Sequence, residues 1–322
     1  MRAARCRAFG DLEAIEVADL PDPVPGAGEV VARVRAAGVN FADLLMAQGR
    51  YQVTPVVPYV PGLEFSGEIV AMGPGVADFK PGDAVSGAPL TGGCFAEYVA
   101  VPAARVVHVP VDLPLPLAAG ILVGHGTASY ALRSRGRLKP GETVVISGAG
   151  GGVGTAAIAI AKRMGARVIA AASAAKREIT VEADEFIDYT SEDITARLKA
   201  LTGGRGVDVA LDLVGGAIFD GLLRAMAPLG RILVVGFASG ELPRIPAERI
   251  LIKNLTVEGV GFGGVIGTVP GLGQEVADHI VALHRARPFA AGPAEFVALD
   301  EVGLALGRMA ARQVAGKLFV RP

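Results

Sequence analysis

Apolar residues follow two different patterns along the chain, and the change comes near residue 121. Before it, short apolar runs such as Val30–Val34 and Gly67–Met72 are separated by frequent prolines and glycines, which is typical of a small barrel or sandwich of strands. From Glu142 onward, apolar runs of strand length alternate with segments of helical periodicity. That alternation predicts a parallel sheet covered by helices on both faces.

The second pattern predicts individual elements. The predicted strands are Thr143–Ser147, Arg167–Ala172, Val207–Leu211, Arg231–Val235 and Asn254–Val260. The predicted helices are Val153–Met164, Glu192–Leu201, Ile218–Met226 and, after a glycine-rich loop, Glu275–Arg285. A final strand pair, Glu295–Leu299 and Lys317–Val320, surrounds one more helix. The sequence thus predicts an α/β chain with a β-rich domain over residues 1–122, a doubly wound parallel-sheet domain over 123–263, and a segment over 264–322 that returns to the first domain.

Composition excludes several classes of protein. The 31 Lys and Arg residues balance 32 Asp and Glu residues, for a net charge of -1, so we expect no nucleic-acid partner. The longest apolar stretches are shorter than the ~20 residues that span a membrane, so we expect no membrane association, and we also expect no signal peptide. The 2 cysteines and 4 histidines are a poor inventory for a metal site, and they favour a reducing, cytoplasmic location.

A glycine-rich turn carries the strongest chemical signal. The sequence T-V-V-I-S-G-A-G-G-G-V-G at 143–154 joins a predicted strand to a predicted helix, and Ala149-x-Gly151-x-x-Gly154 is a variant of the dinucleotide-binding fingerprint. Gly151 and Gly152 let the backbone approach a pyrophosphate at the helix N-terminus. Gly154 lets the helix pack close to the strand, and Val153, at the start of the helix, belongs to the same predicted cofactor site. This context predicts a dinucleotide site rather than a merely glycine-rich turn.

The residues after the second predicted strand of this series indicate which dinucleotide binds. A free ribose 2′-hydroxyl is usually held by an acidic residue about 20 residues beyond the glycines. Here Ser173 follows the strand in place of an acid, and Lys176 and Arg177 come next. A hydroxyl and two cations suit a 2′-phosphate, so the sequence favours NADPH as the cofactor. The alternative is that the two cations merely solvate the start of a helix.

Several stretches of the chain match a known family. They are A-A-G-V-N-F-A-D at 36–43, P-G-L-E-F-S-G at 61–67, F-K-P-G-D-A-V at 79–85, G-G-C-F-A-E-Y at 92–98, the glycine turn, T-G-G-R-G-V-D-V-A-L-D at 202–212, L-G-R-I-L-V-V-G at 229–236 and A-G-K-L-F-V at 315–320. On these stretches the chain resembles the zinc-independent quinone oxidoreductases, the zeta-crystallin-like group of the medium-chain dehydrogenase/reductase superfamily. The resemblance implies a GroES-like catalytic domain, a Rossmann domain and NADPH between them.

The resemblance also bears on metal binding. In zinc-dependent members of the superfamily a cysteine stands at the position of Asn40 and a histidine at that of Leu63, and leucine cannot bind a metal. Catalytic zinc needs three protein ligands and structural zinc commonly uses four cysteines, yet no cysteine-rich lobe follows Cys94. We therefore expect that no metal is bound.

By resemblance, Asn40, Tyr51 and Thr127 lie near the nicotinamide or the substrate. Asn40 and Thr127 would hydrogen-bond a carboxamide or a substrate oxygen, and Tyr51 would donate to a developing oxyanion. Asp43 has the alternative role of starting a helix over residues 41–46, and Thr127 has a comparable role as a helix cap. His125 is a weak candidate acid, because a lone histidine between glycines is more often packed or bonded to the backbone.

Further cofactor contacts implied by the resemblance follow the ends of strands, where ligands of open α/β sheets bind. They are Ser173, Lys176, Tyr189, Gly236, Phe237, Ser239, Gly261 and Phe262. The stretch from Lys176 to Asp184 is shorter than in the family. This difference predicts an abbreviated helix and weakens the assignment of Tyr189.

The implied activity is hydride transfer from NADPH to a quinone, because a quinone needs little acid catalysis and the predicted site has no obvious acid. One alternative is reduction of an activated C=C bond, as in an enone or acryloyl-CoA, with Tyr51 or water as the proton donor. Another is a non-catalytic NADPH-binding protein of the crystallin kind. We also expect a homodimer, because Asn254–Val260 is predicted to be an apolar edge strand that invites pairing unless Lys253 and Glu258 shield it.

Overall fold

The computed structural model describes residues 1–289, 294–311, 313–314 and 316–322. Its strands are, in chain order, β1 (Arg2–Cys6), β2 (Ile15–Asp19), β3 (Glu29–Gly38), β4 (Phe65–Met72), β5 (Ala84–Gly87), β6 (Tyr98–Pro102), β7 (Val106–His108), β8 (Thr143–Ser147), β9 (Arg167–Ala172), β10 (Glu185–Asp188), β11 (Val207–Asp212), β12 (Met226–Val234), β13 (Thr256–Gly259), β14 (Ala294–Val297) and β15 (Lys317–Val320). Its α-helices are α1 (Phe41–Ala47), α2 (Leu115–Ala119), α3 (Gly126–Ser129), α4 (Gly152–Arg163), α5 (Ile194–Leu201), α6 (Gly216–Arg224), α7 (Ala247–Lys253), α8 (Phe262–Val265), α9 (Leu272–Ala286) and α10 (Val302–Ala310). Short 3₁₀ or π-helical segments lie at Ala103–Arg105, Ile121–His125, Tyr130–Arg135, Ala174–Thr180 and Leu299–Glu301.

The chain divides into two compact units. The first comprises Met1–Gly126, Phe262–Val281 and the described residues from 294 to the C-terminus. The second comprises Thr127–Gly261 and residues 282–289. In the described part of the chain, no helix is both long and apolar enough to cross a membrane.

In the described part of the first unit, 7 strands form a mainly antiparallel sheet. Six of these strands lie in the order β14-β15-β3-β4-β5-β7, and β6 also pairs with β3. All these pairs are antiparallel except β14 with β15, while β1 and β2 form a sheet of their own. In β3, Val34 is buried in the core whereas Arg33 and Arg35 are exposed, so this end of the strand has one covered face and one solvated face.

Among the described residues of the second unit, 6 parallel strands lie in the order β10-β9-β8-β11-β12-β13. The chain therefore runs outward from β8 in one direction and then from β11 in the other, which is the doubly wound order. Strand β8 is buried along its whole length, and its residues supply two cores, Val144 and Ile146 on one face of the sheet and Val145 on the other. The predicted fold class, a β-rich GroES-like domain plus a Rossmann domain, is confirmed.

Three predicted boundaries in the second unit are wrong. The strand predicted from Asn254 begins two residues later as β13, because Asn254 adopts a left-handed conformation (φ 50°) that ends α7, a helix the sequence analysis missed. The strand predicted from Arg231 begins earlier as β12, because Met226 already pairs with Val207 of β11. The helix predicted to end at Met226 therefore ends before it, as α6.

Candidate active site

The glycine turn between β8 and α4 lies at the centre of the candidate site in the second unit. Gly148 turns the chain with a φ of 64°, Gly151 is the extended residue before α4, and Gly152 and Val153 are the first residues of that helix. A Cβ atom on Gly154 would lie 2.4 Å from the Gly148 carbonyl oxygen, so only glycine fits there. The first-turn amides of α4 have no intrahelical acceptor, and no side chain in the described part of the chain caps the helix. This turn therefore fits a phosphate that is bound by backbone N–H groups.

Lys176 lies against this turn. It belongs to the segment Ala174–Thr180, which follows β9, and its backbone N–H donates to the carbonyl oxygen of Ser173 at 2.9 Å. A Cβ atom on Gly150 would lie 2.5 Å from the Cβ atom of Lys176, so the stem of the lysine side chain starts directly beside the glycine turn. The structure thus brings Ser173 and Lys176 to the part of the unit that fits a phosphate.

Arg177, the second cation predicted for a 2′-phosphate, has a different neighbour. Its guanidinium lies over the ring of Phe186, 4.3 Å from the ring centroid. The segment that holds both cations is a 3₁₀ helix of 7 residues, which confirms the abbreviated helix predicted after β9. Tyr189 is nevertheless close to the end of β9, because its backbone N–H donates to the Ala172 carbonyl oxygen at 3.3 Å. Its side chain packs against the core of the unit.

The buried carboxyl group of Asp212 joins the end of β8 to the loop that follows β11. Asp212, at the end of β11, is fully buried and accepts hydrogen bonds from Ser147 Oγ at 2.5 Å and from the Gly215 N–H at 3.0 Å. Burial raises the pKa of Asp212. The Gly236 N–H donates to the backbone carbonyl oxygen of Asp212 at 3.3 Å. Sequence analysis did not single out Ser147 and Asp212, although each is a polar residue at the end of an apolar buried strand.

The residues after β12 pack against the loop that follows β11. The Ser239 N–H donates to the Val214 carbonyl oxygen at 2.9 Å. A Cβ atom on Gly215 would lie 3.4 Å from the ring of Phe237 and 3.6 Å from the Ser239 hydroxyl. These residues, with Gly236, lie at the carboxyl edge of the parallel sheet, which is the edge where ligands of doubly wound folds bind.

Four more predicted residues lie close in sequence to the boundaries between the two units: His125, Thr127, Gly261 and Phe262. Thr127 is a half-buried residue of α3 in the second unit, and Gly261 is exposed after β13 in the same unit. In the first unit Phe262 is buried, and a Cβ atom on Gly126 would lie 2.7 Å from its ring. The His125 N–H donates to a backbone carbonyl oxygen at 3.2 Å, and Nδ1 lies 3.4 Å from that same oxygen. His125 is therefore a backbone-bonded residue, which is the role that the sequence favoured over that of an acid.

In the first unit, Asn40 belongs to a closed ring of hydrogen bonds. Lys317 Nζ donates to Asn40 Oδ1 at 2.5 Å and to Glu64 Oε1 at 2.7 Å. Asn40 Nδ2 donates to the same Glu64 oxygen at 2.9 Å. Glu64 is fully buried, and Asn40 is 8% exposed. Sequence analysis singled out Asn40 but not its two partners, although both lie in stretches that match the family.

Asp43 lies beside this ring, at the start of α1. Its Oδ2 accepts the Asn40 backbone N–H at 2.7 Å, which confirms the helix-starting role. Its Oδ1 is buried and has no hydrogen-bond partner among the residues that the structure describes, and burial raises the pKa of Asp43 to about 7. Tyr51 is half-buried, and burial followed by the charge of Asp43 raises the pKa of its phenol. Tyr51 therefore keeps its proton at neutral pH and can donate a hydrogen bond.

The residues around Asn40 do not fit a zinc ion. Leu63 is buried and has no donor atom. The side-chain oxygen of Asn40 and one oxygen of Glu64 already accept hydrogen bonds from Lys317. The Cys94 thiol is fully buried, and burial raises its pKa well above its usual range. Over the described ranges, no group of three or more His, Cys, Asp or Glu side chains is arranged to hold a metal.

Comparison with known proteins identifies relatives for both units. Residues 26–111 match the family described as alcohol dehydrogenase GroES-like domain, and residues 152–278 match the family described as zinc-binding dehydrogenase. Quinone oxidoreductase-like protein 2 homolog of Nematostella vectensis is 37% identical over 301 residues, which cover 92% of this chain and 82% of the relative. Quinone oxidoreductase-like protein 2 of Mus musculus is 39% identical over 267 residues, which cover 81% of this chain and 75% of the relative.

Solved structures of quinone oxidoreductases and of an enoyl reductase are similar to this chain over nearly its whole length. The quinone oxidoreductase of Pseudomonas syringae pv. Tomato DC3000 has a TM-score of 0.91 and 28% identity, with 100% of this chain and 99% of that chain covered. The Escherichia coli quinone oxidoreductase complexed with NADPH has a TM-score of 0.90 and 25% identity, with both chains covered at 100%. CurK enoyl reductase has a TM-score of 0.86 and 25% identity, with 99% of this chain and 98% of that chain covered. The chain therefore belongs to the quinone oxidoreductase-like group of the medium-chain dehydrogenase/reductase superfamily and is an oxidoreductase enzyme.

Proposed function

We propose that this enzyme uses NADPH to reduce a quinone and that it does so without zinc. The cofactor, when bound, supplies the hydride. In this proposal residues 123–263 bind NADPH. Residues 1–122 form the catalytic domain, and residues 264–322 complete that catalytic domain. The observation that carries the proposal is the position of Lys176, whose side chain starts beside a glycine turn that fits a phosphate.

The cofactor assignment rests on charge as well as on shape. At the end of β9, Ser173 stands where a carboxylate would repel a 2′-phosphate. Lys176 supplies a cation there, and a charge-assisted hydrogen bond to a phosphate is about twice as strong as a neutral one. We assign the other predicted cofactor contacts to NADPH binding as well; they are Gly151, Gly152, Val153, Gly154, Tyr189, Gly236, Phe237, Ser239, Gly261 and Phe262.

The substrate assignment rests on the chemistry of the residues that we assign near the substrate. A quinone that accepts a hydride gives a stabilised oxyanion, and solvent can protonate it, so no strong acid is needed at the site. The groups that we assign near the nicotinamide and the substrate, Asn40, Tyr51 and Thr127, are hydrogen-bonding rather than metal-binding. Leu63 leaves the zinc chemistry of dehydrogenases without a ligand at its position.

A second candidate function is reduction of an activated C=C bond. The similarity to CurK enoyl reductase supports it. So does Tyr51, because a phenol that keeps its proton can protonate the carbon next to the carbonyl group after hydride arrives at the far carbon. The two candidates share the cofactor and differ in the acceptor and in how much they need Tyr51.

One experiment tests the proposal against both alternatives. Oxidation of NADPH is followed at 340 nm with a panel of quinones, enones and acyl-CoA enoyls, and the zinc content of the same sample is measured after dialysis without chelator. We expect the highest kcat/KM with a quinone and no stoichiometric zinc. A preference for enones or enoyl-CoA would favour the second candidate. NADPH binding without turnover of any acceptor would indicate a non-catalytic binding protein, and retained zinc that activity requires would overturn the metal-free mechanism.

We also propose a homodimer formed through β13. This strand is at the edge of the six-stranded sheet, where unpaired backbone groups favour pairing with a second copy. The two charges that could shield it are already engaged in their own unit. Glu258 pairs with Arg135 and Arg137, and Lys253 Nζ donates to the Met226 carbonyl oxygen at 2.6 Å. Light scattering at micromolar concentration should therefore give twice the 32.8 kDa chain mass, and a monomer would contradict this.

A further inference from the structure

The hydrogen-bonding capacity of Asn40 is almost fully used inside the protein. A carboxamide has two N–H donors and one oxygen with two lone pairs. Asn40 Nδ2 donates to Glu64 Oε1 at 2.9 Å and to the Gly38 carbonyl oxygen at 3.2 Å. Asn40 Oδ1 accepts from Lys317 Nζ at 2.5 Å. Both hydrogens and one lone pair are therefore occupied, and the described residues leave one lone pair on Oδ1 for a ligand.

Glu64 is held so that it orients the amide of Asn40. Its Oε1 accepts from Asn40 and from Lys317, and its Oε2 accepts the Val123 N–H at 2.9 Å. A Cβ atom on Gly38 would lie 2.3 Å from Glu64 Oε1, so glycine is required for the carboxylate to reach Asn40. Lys317 provides the opposite charge for a carboxylate that is fully buried.

Lys317 fixes which end of the Asn40 amide is the acceptor. An ammonium group only donates, and a carboxylate only accepts. Lys317 contacts the oxygen of the amide, and Glu64 contacts its nitrogen. In a flipped amide, the Asn40 NH₂ group would face the Lys317 ammonium group and the Asn40 oxygen would face the Glu64 carboxylate. The flipped arrangement would thus lose both hydrogen bonds and place like partial charges in contact.

We propose that Lys317 and Glu64 are positioning residues that make Asn40 an obligate hydrogen-bond acceptor in the active site. Asn40 then selects a group that donates, either an N–H of the nicotinamide carboxamide or an O–H of the reduced product, and it does not bind a carbonyl oxygen. This inference rests on the proposed function for the identity of the ligand. The fixed orientation of the amide itself does not depend on turnover.

Asparagine labelling makes the orientation directly measurable. The chain contains only the asparagines Asn40 and Asn254, and Asn254 is exposed at the end of α7. In protein labelled with ¹⁵N-asparagine, the two side-chain amides give two pairs of NMR signals, and N40A identifies the pair from Asn40. We expect the Asn40 pair to exchange slowly with water and to differ in shift from the Asn254 pair.

The variants are chosen to remain folded. K317M alone leaves Glu64 buried without its opposite charge, which costs stability. The double variant K317M/E64Q therefore replaces both members with neutral side chains of similar size, and K317R keeps the charge. In K317M/E64Q we expect the Asn40 amide signals to change in chemical shift and their protons to exchange with water at least about tenfold faster than in wild type. In the single variant K317R we expect shifts and exchange rates closer to those of wild type. The exposed control K80M should leave both pairs unchanged.

A kinetic cycle tests whether the two residues act through Asn40. With NADPH and the best acceptor, we expect K317M/E64Q to lower kcat about tenfold, the effect of one hydrogen bond in the transition state. The same double change in an N40A background should lower kcat no further, because the amide that it positions is gone. A purely structural role would instead lower kcat equally in both backgrounds, together with the melting temperature.

The outcomes separate this inference from the proposed function. Unchanged Asn40 signals in folded K317M/E64Q would overturn the positioning role, whatever the enzyme reduces. Equal kinetic effects in the two backgrounds would overturn it as well. If wild-type protein reduces no acceptor in the panel, the proposed function fails, and the NMR measurement still decides the orientation of Asn40.

Discussion

The buried carboxyl group of Asp43 should make the stability of the protein depend on pH in a way that one substitution removes. Asp43 is 1% exposed, and its Oδ1 has no hydrogen-bond partner within the described ranges. Burial raises its pKa to about 7, although the Asn40 N–H and the charge of Lys317 act in the opposite direction. The substitution Asp43→Asn keeps the shape of the side chain and the acceptor for the Asn40 N–H, and it removes the titration.

The sign and size of the effect follow from the two pKa values. Because the folded-state pKa of about 7 lies above the unfolded value of about 3.9, the folded chain holds a proton that the unfolded chain has released over this interval. The stabilising contribution of neutral Asp43 is complete below about pH 4 and is lost as the pH rises to about 7. Between about pH 5 and about pH 8 the wild-type free energy of unfolding should fall by about 2.5 kcal/mol through this group alone.

Urea unfolding followed by circular dichroism measures this dependence. The difference in free energy of unfolding, Asp43→Asn minus wild type, should rise by about 2.5 kcal/mol from about pH 5 to about pH 8, an increase that is independent of any constant cost of the new amide. Asp300→Asn, at an exposed position, serves as the matched control and should follow wild type at both values. Parallel curves for Asp43→Asn and wild type would refute the reasoning, because they would mean that Asp43 is ionised throughout.

Three further substitutions test the site. Gly154→Ala should weaken NADPH binding at least about tenfold in a fluorescence titration, because the new Cβ would lie 2.4 Å from the Gly148 carbonyl oxygen. The control Gly307→Ala should leave binding unchanged, because a Cβ atom there meets nothing within 4 Å. Arg177→Ala should change the NADPH dissociation constant less than about twofold, because its guanidinium stacks on Phe186; a loss comparable to that of a phosphate contact would contradict this. Tyr51→Phe should lower kcat with an enone about a hundredfold and with a quinone less than about tenfold, since only the first needs a proton on carbon; equal losses would remove the proposed donor role.

The sequence was informative where the signal is local. The glycine turn lies within twelve consecutive residues, between a strand and a helix, and the structure has the close approach at Gly154 that the spacing predicts. The same is true of Asp43, because a helix start is a contact between neighbours in the chain. Strand–helix alternation likewise predicted the parallel sheet, since each strand needs a covered face whatever lies elsewhere in the chain.

The partners of Asn40 were missed because they are distant in sequence. Lys317 is 277 residues from Asn40 and 253 from Glu64, and no local spacing indicates that β15 would bring it to both. The environment of Arg177 was missed for a similar reason, because an exposed cation next to Lys176 in sequence carries no sign of the Phe186 ring. The late start of β13 depends on the left-handed conformation of Asn254, and a pattern of apolar residues does not predict backbone conformation at a single polar residue.

The central claim is tested most directly by the dissociation constants of NADPH and NADH, measured by titration for wild-type protein and for Lys176→Ala. Everything in the two cofactors is shared except the 2′-phosphate, so their comparison isolates the contact assigned to Lys176. We predict that wild type binds NADPH about ten- to a hundredfold more tightly than NADH. Lys176→Ala should weaken NADPH binding by most of that factor and leave the dissociation constant of NADH nearly unchanged. Equal binding of the two cofactors by wild type, or equal weakening of both by the substitution, would contradict the account.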